Sequence, residues 1–338
     1  MIRNKIDPEK GRSLHIPRLH SGGLITNYAC SSSCKHCLYA ASPRRDKDYI
    51  DQETCIGLFR KSMALGCHSL HIGGGEPFLK PDKLKRVLEI AGQEGMDIQY
   101  VETNSSWFRD HDSACSLFEE LRRAGLSCVL VSISPFHNEY IPFYKVKGVM
   151  AACRDTGVSI FPWIMEFYKD IASFPDDRPH SMSEYEEKFG PGYLKRVLRS
   201  YWIHPGGRVF NSFQSIYGKR GARDLLVDNT GCMELADTSH FHLDLNDNYV
   251  PGLCSGLQIH YQDMGAPLCE RKYPYLHVLF NYGIAGFFKL ASEEFGFRPR
   301  ETYASKCHLC LDIRRFLVID RRLSIAEFGP VDFYREDI

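Results

Sequence analysis

Five of the thirteen cysteines in this 338-residue chain stand close enough in sequence to share metal centres. Cys30, Cys34 and Cys37 follow one another as C-x3-C-x2-C, and Cys307 and Cys310 form a C-x2-C. Three thiolates in so short a stretch suit an iron–sulfur cluster, or a zinc knuckle whose fourth ligand is His36 or a distant residue. Three ligands instead of four leave one iron of a cubane free to bind something else. Cys232, Cys254 and Cys269 lie between the two groups. Cys55, Cys67, Cys115, Cys128 and Cys153 stand alone in periodic segments and read as small core hydrophobes.

Other polar groups recur downstream. Gly73-Gly74-Gly75-Glu76-Pro77 allows close backbone approach to a ligand and offers a carboxylate to a cationic group. Glu102-Thr103-Asn104 and Ser132-Ile133-Ser134-Pro135 come next. What must position them is a repeat of structure. Apolar residues at helical spacing mark four amphipathic helices: Ile56, Phe59, Met63; Leu84, Val87, Leu88, Ala91; Ala114, Leu117, Phe118, Leu121; and Val146, Val149, Met150, Cys153. Asp51 is a plausible N-cap for the first. Gly66, Gly95, Gly125 and Gly157 close them at intervals of 29, 30 and 32 residues.

Strand-like runs at 69–72, 97–102, 126–133 and 158–164 follow those glycines, and another at 24–28 precedes the first helix. Strand-then-helix at this period means a parallel sheet, wound into a barrel or left open. Each polar group then falls at a strand's C-terminal end, where such folds place their chemistry.

Lys and Arg total 42, as do Asp and Glu, so no basic field advertises nucleic acid or an anionic membrane. The hydrophobic share of 43% and charged share of 25% exclude disordered and fibrous classes. The first twenty residues carry no apolar stretch, so we expect no secretory signal and a cytoplasmic location. Residues 277–290 are apolar but interrupted by Asn281, Tyr282 and Gly283, and too short to span a bilayer.

Together these motifs resemble the radical S-adenosylmethionine (radical SAM) superfamily over roughly residues 22–170. Cys30, Cys34 and Cys37 match its three-cysteine motif, and Gly74, Gly75 and Glu76, followed by Pro77, its Gly-Gly-Glu motif. The resemblance implies an α/β fold, a partial (β/α)6 TIM-type barrel over 22–230 after an N-terminal extension, 1–21. It implies a [4Fe–4S] cluster on the three cysteines, with S-adenosylmethionine (SAM) on the unique iron. His36 would lie near the adenine, Gly74, Gly75 and Glu76 near the methionine amino group, and Asn104, Ser132 and Ser134 near ribose and carboxylate. An electron from a reductant such as flavodoxin or ferredoxin would cleave SAM to a 5′-deoxyadenosyl radical, which abstracts a substrate hydrogen.

The rhythm fails after Glu166, although a helix is expected over 183–198. From 231 onward the alternation of Phe241, Leu243 and Leu245 before an Asp247-Asn248 turn marks a hairpin. We assign 231–338 to a small cysteine-bearing α+β domain similar to SPASM and twitch elements. That resemblance implies an auxiliary [4Fe–4S] cluster on Cys254, Cys307 and Cys310. Cys232 is the expected fourth ligand, with Cys269 or an open iron site as rivals; a zinc clip, or buried cysteines with no ligand role, is the plain alternative. His240 and His242 share one face of a strand and are read as structural.

For catalysis proper, His137, Glu166 and Cys269 are candidates as proton or hydrogen-atom carriers. The expected function is modification of a peptide by oxidation, crosslinking or epimerisation. A small-molecule dehydrogenase or cyclase is the nearest alternative. The alternative of another class is a zinc-stabilised, non-catalytic α/β binding protein, which would be colourless and would not bind SAM.

Overall fold

The computed structural model describes residues 11–162, 165–201, 203–227 and 230–338. The first ten residues of the N-terminal extension and the last two of the fifth predicted strand therefore lie outside the described residues. Five strands alternate with helices: β1 Ser21–Ile25, α1 Gln52–Ala64, β2 Ser69–Gly73, α2 Pro81–Glu94, β3 Asp97–Thr103, α3 His111–Arg123 and β4 Cys128–Val131. A short helical turn, α4 Pro135–Asn138, precedes α5 Phe143–Thr156 and β5 Ser159–Pro162. These strands are all parallel.

The local signals act as expected. Asp51 accepts a hydrogen bond from Thr54 N at 2.8 Å and Asp110 one from Ser113 N at 2.9 Å, capping α1 and α3. Gly66, Gly95, Gly125 and Gly157 all have positive φ just past the helix ends. The helices cover the sheet with Leu58, Phe59, Leu84, Phe118, Leu121 and Val149, all fully buried. Each such side chain contributes roughly 1.5–3 kcal/mol of hydrophobic stabilisation.

The second half departs from a simple continuation. Helices α6 Glu166–Ala172, α7 Met182–Phe189 and α8 Tyr193–Ser200 follow, then α9 Val209–Tyr217 and α10 Ala222–Leu225. The single helix expected over 183–198 is thus two, broken at Gly190-Pro191-Gly192; proline's missing N–H and the two glycines end α7 there. Strand β6 His240–Asp244 then runs parallel to β1, and β7 Asn248–Val250 and β8 Ile259–His260 continue antiparallel. The order is β5-β4-β3-β2-β1-β6-β7-β8, one open sheet of eight strands. The hairpin placed after residue 231 therefore extends the sheet of the first half from its β1 edge.

The chain ends with α11 Pro274–Phe295 and α12 Lys306–Arg315. Helix α11 is interrupted at Gly283 (φ 60°), where a Cβ would lie 2.1 Å from Thr230 O. Among the described residues, no helix is long and apolar enough to cross a membrane.

Candidate functional site

Beyond β1 the chain passes under the glycine segment that follows β2. Gly75 N donates to Asn27 O at 2.7 Å and Glu76 N to Ala29 O at 3.0 Å, while Asn27 Nδ2 reaches Ala29 O and Glu76 O. A Cβ on Gly75 would lie 2.0 Å from Ala29 O, so this approach requires glycine. The segment thereby fixes the backbone immediately before Cys30. Gly75→Ala is expected to push that loop away at a cost of about 1–3 kcal/mol. A lowered Tm together with lowered iron uptake would show it; unchanged iron uptake would mean the clamp does not position Cys30.

Cys30, Cys34 and Cys37 line a cavity of about 650 Å³ together with Gly73, Gly74 and Gly75. Burial pushes the Cys30 thiol up to about 12, with Glu76 adding to it, and raises Cys34 for the same first reason and then through Cys30 and Cys37. Polar hydrogens nevertheless point at the sulfurs. Cys30 Sγ accepts from Ser32 N and Asn104 Nδ2, each at 3.4 Å, and Cys37 Sγ from Ala41 N at 3.4 Å.

Buried Arg208 works against the thiols' raised pKa from behind the loop. Its guanidinium donates to Ala40 O, Ala41 O and Glu336 Oε2, each at 2.9 Å, and its N–H to Cys37 O at 3.2 Å. Neither Arg208 nor Glu336 was expected. They lie 128 residues apart, and no local spacing links them to the cysteines.

The other predicted residues divide. His36, Gly74, Gly75, Asn104, Ser132 and His137 line the same cavity. The His36 ring lies among Phe136, His137 and Tyr201, at centroid distances of 4.9–5.3 Å, and burial keeps it neutral. His137 is held neutral by burial too, at about 4, with Nδ1 2.7 Å from Ser134 Oγ. Ser134 is fully buried, caps α4 and does not line the cavity.

Glu76 is turned inward. Its carboxylate accepts from Thr103 Oγ1 at 3.0 Å, Phe78 N at 3.2 Å and Asn104 N at 2.6 Å, while burial raises it to about 7. It thus ties the glycine segment to the end of β3, and the glycines, not the carboxylate, face the cavity. Two catalytic expectations require correction. Glu166 does not belong to β5: it opens α6, is exposed and does not line the cavity. Cys269 is exposed in a turn and lines neither cavity described here.

A second cavity of about 160 Å³ is lined by Cys232, Cys254, Cys307 and Cys310. His204, Glu234, Gly252 and Leu253 line both cavities, so the two adjoin. Cys232 is brought in where its N–H meets Leu279 O at 2.9 Å, just before the break in α11. Burial raises Cys254 to about 12 and Cys307 to about 11. Two cations answer these thiols: Lys306 lines the cavity, and so does buried Arg314, which donates to Ser255 O at 2.8 Å and Tyr334 Oη at 3.1 Å.

Sulfur spacing bears on what either set could hold. Zn–S bonds of about 2.3 Å place tetrahedral sulfurs roughly 3.8 Å apart. Among the described residues, His71, His240 and His242 are the one set whose ligand atoms all lie within 4.8 Å of one another. No three of the described cysteines bring their sulfurs that close together.

Residues 24–158 match the family described as the Radical SAM superfamily. YydG of Bacillus subtilis (strain 168), whose name assigns it to peptide biosynthesis, is 23% identical over 129 residues. That stretch is 37% of this chain and 39% of YydG, so the chain matches well under half of that relative's length. Similar solved structures include native anSMEcpe with bound AdoMet, at 12% identity and TM-score 0.43 over 88% of this chain and 96% of the other. Another is BtrN in complex with AdoMet and 2-DOIA, at 13% identity and TM-score 0.41 over 79% and 89%.

Proposed function

We propose, from the radical SAM domain that residues 24–158 form, that this chain modifies a peptide by abstracting a hydrogen atom from it. The observation that carries this reading is the single cavity in which the thiols of buried Cys30 and Cys34 and half-buried Cys37 meet the glycine segment, His36 and Asn104. A [4Fe–4S] cluster with SAM supplies, when bound and reduced, the 5′-deoxyadenosyl radical that performs the abstraction.

The chain's own residues do the rest. Cys30, Cys34 and Cys37 hold the cluster, with Asn104 Nδ2 and the Ser32 N–H donating to Cys30 Sγ. Gly74 and Gly75 leave room for the methionine end of SAM, and the His36 ring offers a flat neutral face to its adenine. Arg208 offsets part of the cluster's negative charge from behind, and neutral His137 stands in reach as a proton acceptor. The wall formed by Tyr201 and Leu253 limits water, which would compete with the substrate for the radical.

Cys232, Cys254, Cys307 and Cys310 hold a second cluster, beside which Arg314 and Lys306 place positive charge. Its cavity adjoins the first, so a cluster held by these four cysteines would supply a one-electron acceptor beside the space that the substrate enters, with a flavodoxin- or ferredoxin-like carrier as its outlet. A peptide substrate is supported by the name of YydG over the aligned 129 residues. The test is isotopic: reduced protein receives SAM with, in separate reactions, a library of perdeuterated peptides or a set of perdeuterated small metabolites. Deuterium in 5′-deoxyadenosine together with a mass change in one peptide is expected. Deuterium acquired only from small metabolites would make the chain a dehydrogenase or cyclase of small molecules instead.

A further inference from the structure

We propose that His71, His240 and His242 form a binding site for one divalent transition-metal ion, distinct from both cysteine sets. The register of three strands creates it. On β1, Gly23 stands opposite His71 of β2 on one side and opposite His242 of β6 on the other. A Cβ on Gly23 would lie 2.2 Å from His71 Nε2, so the missing side chain gives the imidazole its place. The two rings meet across β1, with Nε2 to Nε2 at 3.2 Å.

His240, two residues earlier on the same face of β6, completes the group. Its ring centroid lies 5.4 Å from that of His71 and 5.2 Å from that of His242. One ligand atom from each of the three lies within 4.8 Å of the others. Metal–nitrogen bonds of about 2.0–2.1 Å place tetrahedral nitrogens roughly 3.3 Å apart, so the His71–His242 pair already has ligand spacing.

The surroundings match what imidazole ligands need. A ligating ring usually engages its other nitrogen in a hydrogen bond that fixes tautomer and orientation. Here Tyr39 Oη lies 2.7 Å from His242 Nδ1, and the His71 ring hydrogen-bonds to the Gly22 backbone. Burial, the first cause, with the neighbouring histidines, lowers His71 to about 3 and depresses His242; burial also lowers His240. All three are therefore neutral near pH 7, the form that binds metal.

Glu102 Oε1 lies 3.7 Å from His71 Nε2, near enough to become a fourth ligand after a small rotation. Neutral imidazoles with a carboxylate suit zinc, iron, nickel or copper, and no thiol takes part. The three histidines line the same 650 Å³ cavity as Cys30, Cys34 and Cys37. An ion held by the three histidines alone would turn its fourth position to that space, where either Glu102 or a carbonyl or carboxylate oxygen of whatever enters could take it.

The absence of sulfur makes the proposal testable without reference to any reaction. Full-length protein, reconstituted with iron and sulfide so that its cluster thiols are occupied, is given Zn2+, freed of excess and measured at the zinc absorption edge. We expect one zinc per chain with nitrogen and oxygen neighbours at about 2.0–2.1 Å and no sulfur at about 2.3 Å. His71→Ala and His242→Ala should each weaken zinc binding at least tenfold, while the Cys30/Cys34/Cys37→Ala variant keeps it. No retained zinc, a sulfur-containing shell, or binding untouched by both histidine variants would overturn the site. The wild-type spectrum decides this even if a variant fails to fold.

Discussion

Replacing Cys30, Cys34 and Cys37 together by alanine is expected to lower iron in the anaerobically reconstituted protein from about eight to about four atoms per chain. Formation of 5′-deoxyadenosine from SAM should fall to background at the same time. The three sulfurs line one cavity, and burial with like neighbours makes Cys30 and Cys34 poor thiolates until a metal claims them. The matching control is Cys153→Ala. Cys153 is fully buried in α5, and its loss should cost stability without moving iron. Iron that stayed at eight in the triple variant would remove the cluster from this loop.

Replacing Cys254 and Cys307 together by alanine is expected to remove the other four irons, about half the total, while leaving SAM cleavage in the absence of substrate. Product formation should stop, because the adjoining cavity would no longer hold an electron acceptor. Stability should also suffer. Arg314 is only 5% exposed, and with the cluster gone its charge keeps two neutral hydrogen-bond acceptors and no anionic partner among the thiols. Leaving a buried charge without its counter-charge costs about 3–5 kcal/mol, so Tm should drop well beyond what two small truncations explain. Cys232→Ala and Cys269→Ala then separate the rivals for the fourth ligand. The first should destabilise this cluster, and the second, whose thiol is exposed and lines neither cavity, should leave iron unchanged. A Cys269 variant that lost four irons would reverse that assignment.

The parallel half of the fold was legible because its signals are local. Apolar spacing on α2 and α3, Asp51 at a helix start and Gly95 or Gly157 at a helix end each act within a few residues. So was the clustering of polar groups at strand ends, which brought Asn104 and His137 to the cavity of Cys30. Long-range partnerships left no such trace. Nothing in residues 240–244 announces that they pair with β1, more than two hundred positions earlier, and it is this pairing that sets His242 against His71. Arg208 and Glu336 likewise meet only because the last residues of the chain return to the loop after Cys37. The unbroken helix over 183–198 failed for a simpler reason. Its apolar spacing continues across Gly190-Pro191-Gly192, but the backbone cannot. Glu166 was misplaced by assigning it to the end of the fifth strand, whereas it is the first residue of α6.

The most direct test of the radical SAM reading is to reduce the reconstituted wild-type protein anaerobically, add SAM and quantify 5′-deoxyadenosine and methionine against the Cys30/Cys34/Cys37→Ala variant. Equal amounts of both products from the wild type, and neither from the variant, are the expected result. A protein that takes up zinc but no iron, and returns SAM intact, would contradict it and leave the chain a zinc-stabilised binding protein.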